Sequence, residues 1–81
     1  MTDSTFHLIV ASVGESRFDG AALSVTIPTS AGEITVLPHH EPLVATLRAG
    51  TITVRESLGN KEIPVEGGVL EVSGNRAVVL L

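Results

Sequence analysis

Gly32-Glu33-Ile34-Thr35-Val36-Leu37-Pro38-His39-His40-Glu41-Pro42-Leu43-Val44-Ala45-Thr46-Leu47-Arg48-Ala49-Gly50 sets two short apolar runs on either side of a loop fenced by prolines. Each proline fixes φ and removes a backbone donor, so neither run extends through the loop as a strand. The two imidazoles are therefore presented at a defined place on a rim.

Working outward, the chain breaks into short β-rich runs separated by turn residues every eight to twelve positions or so, the pattern of a sandwich or barrel. Helical periodicity is absent. Phe6 to Val13 forms the first run, ending at Gly14-Glu15-Ser16. Arg17-Phe18 makes a brief extended piece before a turn at Asp19-Gly20. Leu23, Val25 and Ile27 alternate with Ser24 and Thr26, which buries one face. Pro28 stops that strand, Thr29 to Gly32 is a loop, and Glu33 to Leu37 is the next strand. Beyond the fenced loop, Leu43 to Arg48 and Thr51 to Arg55 are strands, with Ile52 and Val54 inward.

Ser57-Leu58-Gly59-Asn60 reads as a hairpin turn in which Gly and Asn supply positive φ, and Lys61 to Glu66 returns. Gly67-Gly68 permits a bend with close backbone approach, Val69 to Val72 follows, and Ser73-Gly74-Asn75 turns into Arg76 to Leu81. That last run, ending Val-Val-Leu-Leu, is an aggregation hazard unless it is paired inside the sheet or covered. The fold predicted is an all-β flattened sandwich or barrel of about eight to ten short, mostly antiparallel strands, one domain over residues 1–81.

Composition excludes several functions. There is no cysteine, hence no disulfide framework and no zinc-thiolate site. Phe6 and Phe18 are the only aromatic residues, and the net charge is −4, so neither stacking platforms nor phosphate attraction favours nucleic acid. No apolar run approaches the roughly 20 residues of a membrane-spanning helix. Met1-Thr2-Asp3-Ser4 carries no basic region, so the reading is of a soluble cytoplasmic chain without direct membrane insertion.

Candidate chemistry is sparse. His39 and His40 point to opposite faces of extended backbone, and a metal would need help from Glu41 or the distant His7, so no metal is expected. The plain structural reading is that one of the pair packs or hydrogen-bonds within the loop while the other is solvated; the reading preferred is that His40, next to Pro42-Leu43, belongs to a protein interface. None of Ser4, Ser12, Ser16, Ser24, Ser30, Ser57 and Ser73 sits in a Gly-x-Ser-x-Gly elbow, and Glu62, Glu66 and Glu71 read as solvated charges. Gly67-Gly68 lacks the Lys-Ser/Thr of a phosphate loop, and the five basic residues are scattered. No catalytic residue and no cofactor is expected, ATP included.

With Phe18-Asp19-Gly20 upstream and Gly67-Gly68-Val69-Leu70-Glu71-Val72 downstream, the fenced loop resembles the N-terminal domain of the epsilon subunits of F-type ATP synthases, over about Phe6 to Leu80. The resemblance implies a non-catalytic central-stalk β-sandwich, docked on the gamma subunit and the c-ring, that helps couple proton or sodium flow to ATP synthesis. It implies a peripheral location at the cytoplasmic face of the bacterial inner membrane. Carried over by motif, His40, Leu43, Val44 and Ala45 would face gamma with Ser12 nearby, and Ser30, Ala31, Gly32 and Glu33 would meet the c-ring. The alternative is a generic β-sandwich adaptor with an unrelated partner.

This chain departs from the family pattern in two places. The family commonly has Gly where His39 stands, and Gly can adopt φ values that a histidine adopts only at a cost, so the loop's conformation here need not be the family's. Family members also continue into a helical hairpin, to which ATP sensing and braking of hydrolysis are attributed, whereas this sequence stops at Leu81. A sequence cut to the sandwich and a natural short form both fit.

Overall fold

The computed structural model describes residues 4–81. Met1, Thr2 and Asp3, on which the absence of a signal was partly read, lie outside the described residues. Nine strands follow one another: β1 Phe6–Ser12, β2 Glu15–Ala22, β3 Ser24–Thr29, β4 Gly32–Val36, β5 Leu43–Leu47, β6 Gly50–Glu56, β7 Gly59–Val65, β8 Gly68–Ser73 and β9 Arg76–Leu80. No helix occurs among the described residues, so the all-β sandwich expected from the alternation is what the chain forms.

One continuous hydrogen-bonded ribbon runs β2-β1-β9-β8-β5-β3-β6-β7, with β4 on the other side of β3. Every pairing is antiparallel except β1 with β9. The ribbon folds over at the β5–β3 step, where contact narrows to the single register pair Thr29↔Leu47 and the flanking bonds Ser30 N–H to the Thr46 carbonyl (2.9 Å) and Arg48 N–H to the Pro28 carbonyl (3.1 Å). Folding over brings the apolar face of β2-β1-β9-β8-β5 onto that of β4-β3-β6-β7.

Period-2 alternation fills the space between the layers. Leu8 and Val10 of β1, Val25 and Ile27 of β3, Ile52 and Val54 of β6, and Leu70 and Val79 of β8 and β9 are all fully buried. The final strand is not an edge: β9 is paired on both sides, by β1 and β8. Its ladder bonds are thereby satisfied inside the sheet.

Three expectations fail in instructive ways. Asp19-Gly20 is not a turn; β2 continues through it, paired Ile9↔Asp19 and Leu8↔Gly20. Reversal occurs earlier, at Val13-Gly14 with Gly14 at φ 74; β2 then passes a bulge at Arg17 and runs on through Asp19-Gly20, because Phe18 and Ala22 both bury inward on the face that packs into the core. Pro28 does not stop β3 but lies inside it. The β3–β6 ladder ends at Thr26 and the β5 contact begins at Thr29, so Pro28 occupies the gap where no donor is required. In the β6–β7 hairpin only Ser57 and Leu58 lie outside the ladder, and positive φ falls on Gly59 (φ 146) while Asn60 pairs with Arg55.

Candidate interaction surface

The fenced loop is a tight turn followed by a short irregular stretch. Pro38 supplies the fixed φ of a second turn position, His39 follows at φ 62, and the His40 N–H donates to the Leu37 carbonyl at 3.2 Å. Proline second and positive φ third is the pattern of a type II turn, a position that glycine normally fills. His40 is half-buried, and its Nδ1–H donates to the Glu41 carbonyl at 2.7 Å; His39 keeps an exposed ring. One histidine bonds within the loop and the other is solvated. His7 is elsewhere, its Nε2 at 2.6 Å from an Asp19 carboxylate oxygen. Among the described residues no three His, Asp or Glu side chains converge as a metal site would need.

The residues assigned by resemblance to one partner do not form one patch. Leu43 and Ala45 lie opposite Val72 and Leu70, face inward and pack against the core, whereas Val44 lies opposite Glu71 and is 70% exposed on the outer face. Strand alternation makes this unavoidable for consecutive residues. Ser12 is farther off. Register runs Ala11–Leu80–Val69–Thr46 across the sheet, so Ser12 sits at the level of the C-terminal end of β5, while His40 precedes its N-terminal end. Ser12 instead borders a depression with Arg17, Pro64, Glu66 and Leu81.

Ser30 and Ala31 form the exposed tip of the β3–β4 hairpin, closed by the pair Thr29↔Gly32 with Gly32 at φ 118. Thr29, a buried polar side chain, organises the tip: its hydroxyl donates to the Gly32 carbonyl and accepts the Ala31 N–H at 3.2 Å. Glu33 is exposed at the base of the same hairpin, opposite Pro28. Ser30 to Glu33 are thus contiguous on a braced projection.

The feature that the sequence reading did not isolate is the outer face of β5-β8-β9-β1. Val44, Glu71, Val78 and Ile9 form one outward row, and Thr46, Val69, Leu80 and Ala11 the next. Val69 is 46% and Leu80 59% exposed, while Ile9, Ala11 and Val78 are half-buried. Isolated surface aliphatics are ordinary, but Val69, Leu80, Ala11, Val78 and Ile9 adjoin one another on β8, β9 and β1, with the exposed Glu71 separating Val78 from Val44 in its row, and such an apolar patch is a candidate interaction surface. A signal did exist: Val69-Leu70 and Val78-Val79-Leu80 are apolar at both phases of the alternation, which means apolar residues on both faces.

Two layers of strands closed over one filled aliphatic core define a β-sandwich domain. The chain belongs to the family described as ATP synthase, Delta/Epsilon chain, beta-sandwich domain, which it matches over residues 5–81. It is 42% identical over 78 residues to the ATP synthase epsilon chain of Bordetella parapertussis, covering 95% of this chain and 56% of that one. The epsilon chain of Polaromonas naphthalenivorans is 40% identical over the same length, again with 95% and 56% covered. The chain thus spans little more than half the length of these curated relatives.

Among solved structures, a chain of the Euglena gracilis mitochondrial ATP synthase, determined as OSCP/F1/c-ring, superposes with a TM-score of 0.88 at 24% identity, over 95% of this chain and 50% of that one. A chain from the central stalk/c-ring of the Tetrahymena thermophila mitochondrial ATP synthase gives 0.78 at 14% identity, over 99% and 65%. At these identities the likeness speaks for the fold.

Proposed function

We propose that residues 1–81 fold as one domain and serve as the sandwich of an epsilon subunit in the central stalk of a rotary ATP synthase. In this role it docks on gamma and the c-ring and transmits torque while catalysing nothing. The observation that carries this reading is the family match over residues 5–81, joined to a sandwich that leaves an apolar patch on the outer face of β8-β9-β1, bordered by Val44 of β5. A permanent partner gives such a face a reason to persist. Two sheets sharing one core form a stiff body, as a torque-bearing clamp requires. His40 and Val44 are the proposed gamma contacts, with Leu43 and Ala45 supporting the strand from within and Ser12 at its far end. Ser30, Ala31, Gly32 and Glu33 are the proposed c-ring contact, since they form an exposed, internally braced tip.

Assembled in this way, the chain would sit peripherally at the cytoplasmic face of a bacterial inner membrane and assist coupling of proton or sodium flow to ATP synthesis. No helix among the described residues is long and apolar enough to cross a membrane. Titration of purified gamma against the wild-type chain should give saturable binding. A single cysteine placed by Ala31→Cys, in a chain with none of its own, should cross-link to the polar loops of the c-ring in an assembled rotor. Lack of gamma binding, with an unrelated protein captured instead, would replace this reading with that of a generic adaptor.

A further inference from the structure

His39 is the one non-glycine residue with positive φ among the described residues, at φ 62. An L-residue holds that conformation only when its surroundings over-determine it. The exposed ring offers no such restraint. The backbone does: the His39 N–H donates to the side-chain oxygen of Asn75 at 2.8 Å. Asn75 occupies the two-residue β8–β9 turn with Gly74, whereas His39 lies in the connection between β4 and β5, which do not pair with each other. The Asn75 amide nitrogen donates to the Thr5 carbonyl at 2.7 Å, and its own carbonyl accepts the His7 N–H at 3.1 Å. A primary amide can accept at one atom and donate at the other, so the His39 N–H and the Thr5 carbonyl together fix the orientation of the Asn75 side chain.

We propose that Asn75 is a positioning residue: it clamps His39 in the left-handed region and ties that turn to the start of β1, so that His40 is held in place before any partner arrives. The proposal rests on the reading of His40 as a partner contact. Its mechanism is pre-organisation, since a loop already ordered loses less conformational freedom on binding.

The test uses Asn75→Ala, Asn75→Asp, His39→Gly and the double variant Asn75→Ala/His39→Gly, each as the whole chain. Backbone NMR without partner is one readout. Asn75→Ala should speed His39 amide exchange at least tenfold and broaden or double the His40 resonances. Asn75→Asp keeps the acceptor for His39 while losing the donor to Thr5, so it should preserve the His39 signals. Affinity for purified gamma is the second readout. Asn75→Ala should weaken it five- to tenfold, and less than twofold when His39 is already glycine, because glycine adopts positive φ without a clamp.

Unchanged His39 and His40 spectra in Asn75→Ala would overturn the clamp. An equal loss of affinity in both backgrounds would overturn the positioning role. Failure of the wild-type chain to bind gamma would sink the rotor reading alone, and the spectra would still decide whether Asn75 holds the turn.

Discussion

Gly68 lies directly against the carbonyl of Leu80: a Cβ built on Gly68 would meet that oxygen at 2.5 Å. Gly68 also sits at φ 140, in a region that residues with a Cβ rarely enter. The close approach lets β8 begin where it can pair with both β5 and β9.

Gly68→Ala should therefore destabilise the fold by about 3 kcal/mol or more, combining the conformational penalty with displacement of the Leu80 backbone. Gly14→Ala is the control, since Gly14 has φ 74 but open space around it, and should cost about 1–2 kcal/mol. Urea unfolding of the two variants checks this. Equal losses would refute the steric account of Gly68.

Thr29→Val keeps the shape of the buried side chain while deleting its hydroxyl, leaving the Gly32 carbonyl and the Ala31 N–H without that partner. A loss of about 1–3 kcal/mol is expected, with faster amide exchange concentrated at Ser30 and Ala31. Exchange that accelerated uniformly across the sheet would show that the hydroxyl braces no particular segment.

Val44→Asp and Leu43→Asp should separate binding from folding. Val44 is 70% exposed, so its variant should stay within about 0.5 kcal/mol of wild type while gamma affinity falls at least tenfold. Leu43 packs against the core, so its variant should lose stability as well. A Val44→Asp protein that binds gamma normally would remove the outer face from the interface.

Ile27 is fully buried and Leu58 fully exposed at the β6–β7 turn. Ile27→Ala should cost about 2–5 kcal/mol, and Leu58→Ala should fall within about 0.5 kcal/mol of wild type. For a domain of this size each kcal/mol lowers Tm by roughly 4–8 °C, so differential scanning calorimetry will resolve the pair. Comparable Tm shifts would contradict the layered core.

The strands were legible because alternation is a local property, and Val25, Ile27, Ile52 and Val54 carry it without interruption. The close approach at Gly67-Gly68 was legible for a related reason: paired glycines at the mouth of an apolar run have few other uses. Asp19-Gly20 misled because a turn dipeptide is a local preference, and here the β1 ladder and the burial of Phe18 outweigh it. Pro28 misled in the opposite direction, since which strand neighbours it at that residue is decided by the fold-over at Thr29, a tertiary event. His39 takes a positive φ of 62, the kind of backbone the Gly-to-His departure raised as a question, yet its partner Asn75 lies in the β8–β9 turn, which no local pattern announces. The outer apolar face went unseen because a doubly apolar strand reads the same whether its second face is covered by the same chain or by another.

The parallel pairing of β1 with β9 joins His7 to Arg76 and Ala11 to Leu80. During synthesis the β1–β2, β3–β4 and β6–β7 hairpins can close as soon as each leaves the ribosome, since their partners are near in sequence. One side of β1 must wait until Leu80 has emerged, and closing so long a loop makes this ladder a late and slow event. Until then the nascent chain exposes an unpaired apolar edge along β1, the kind of surface that chaperones hold.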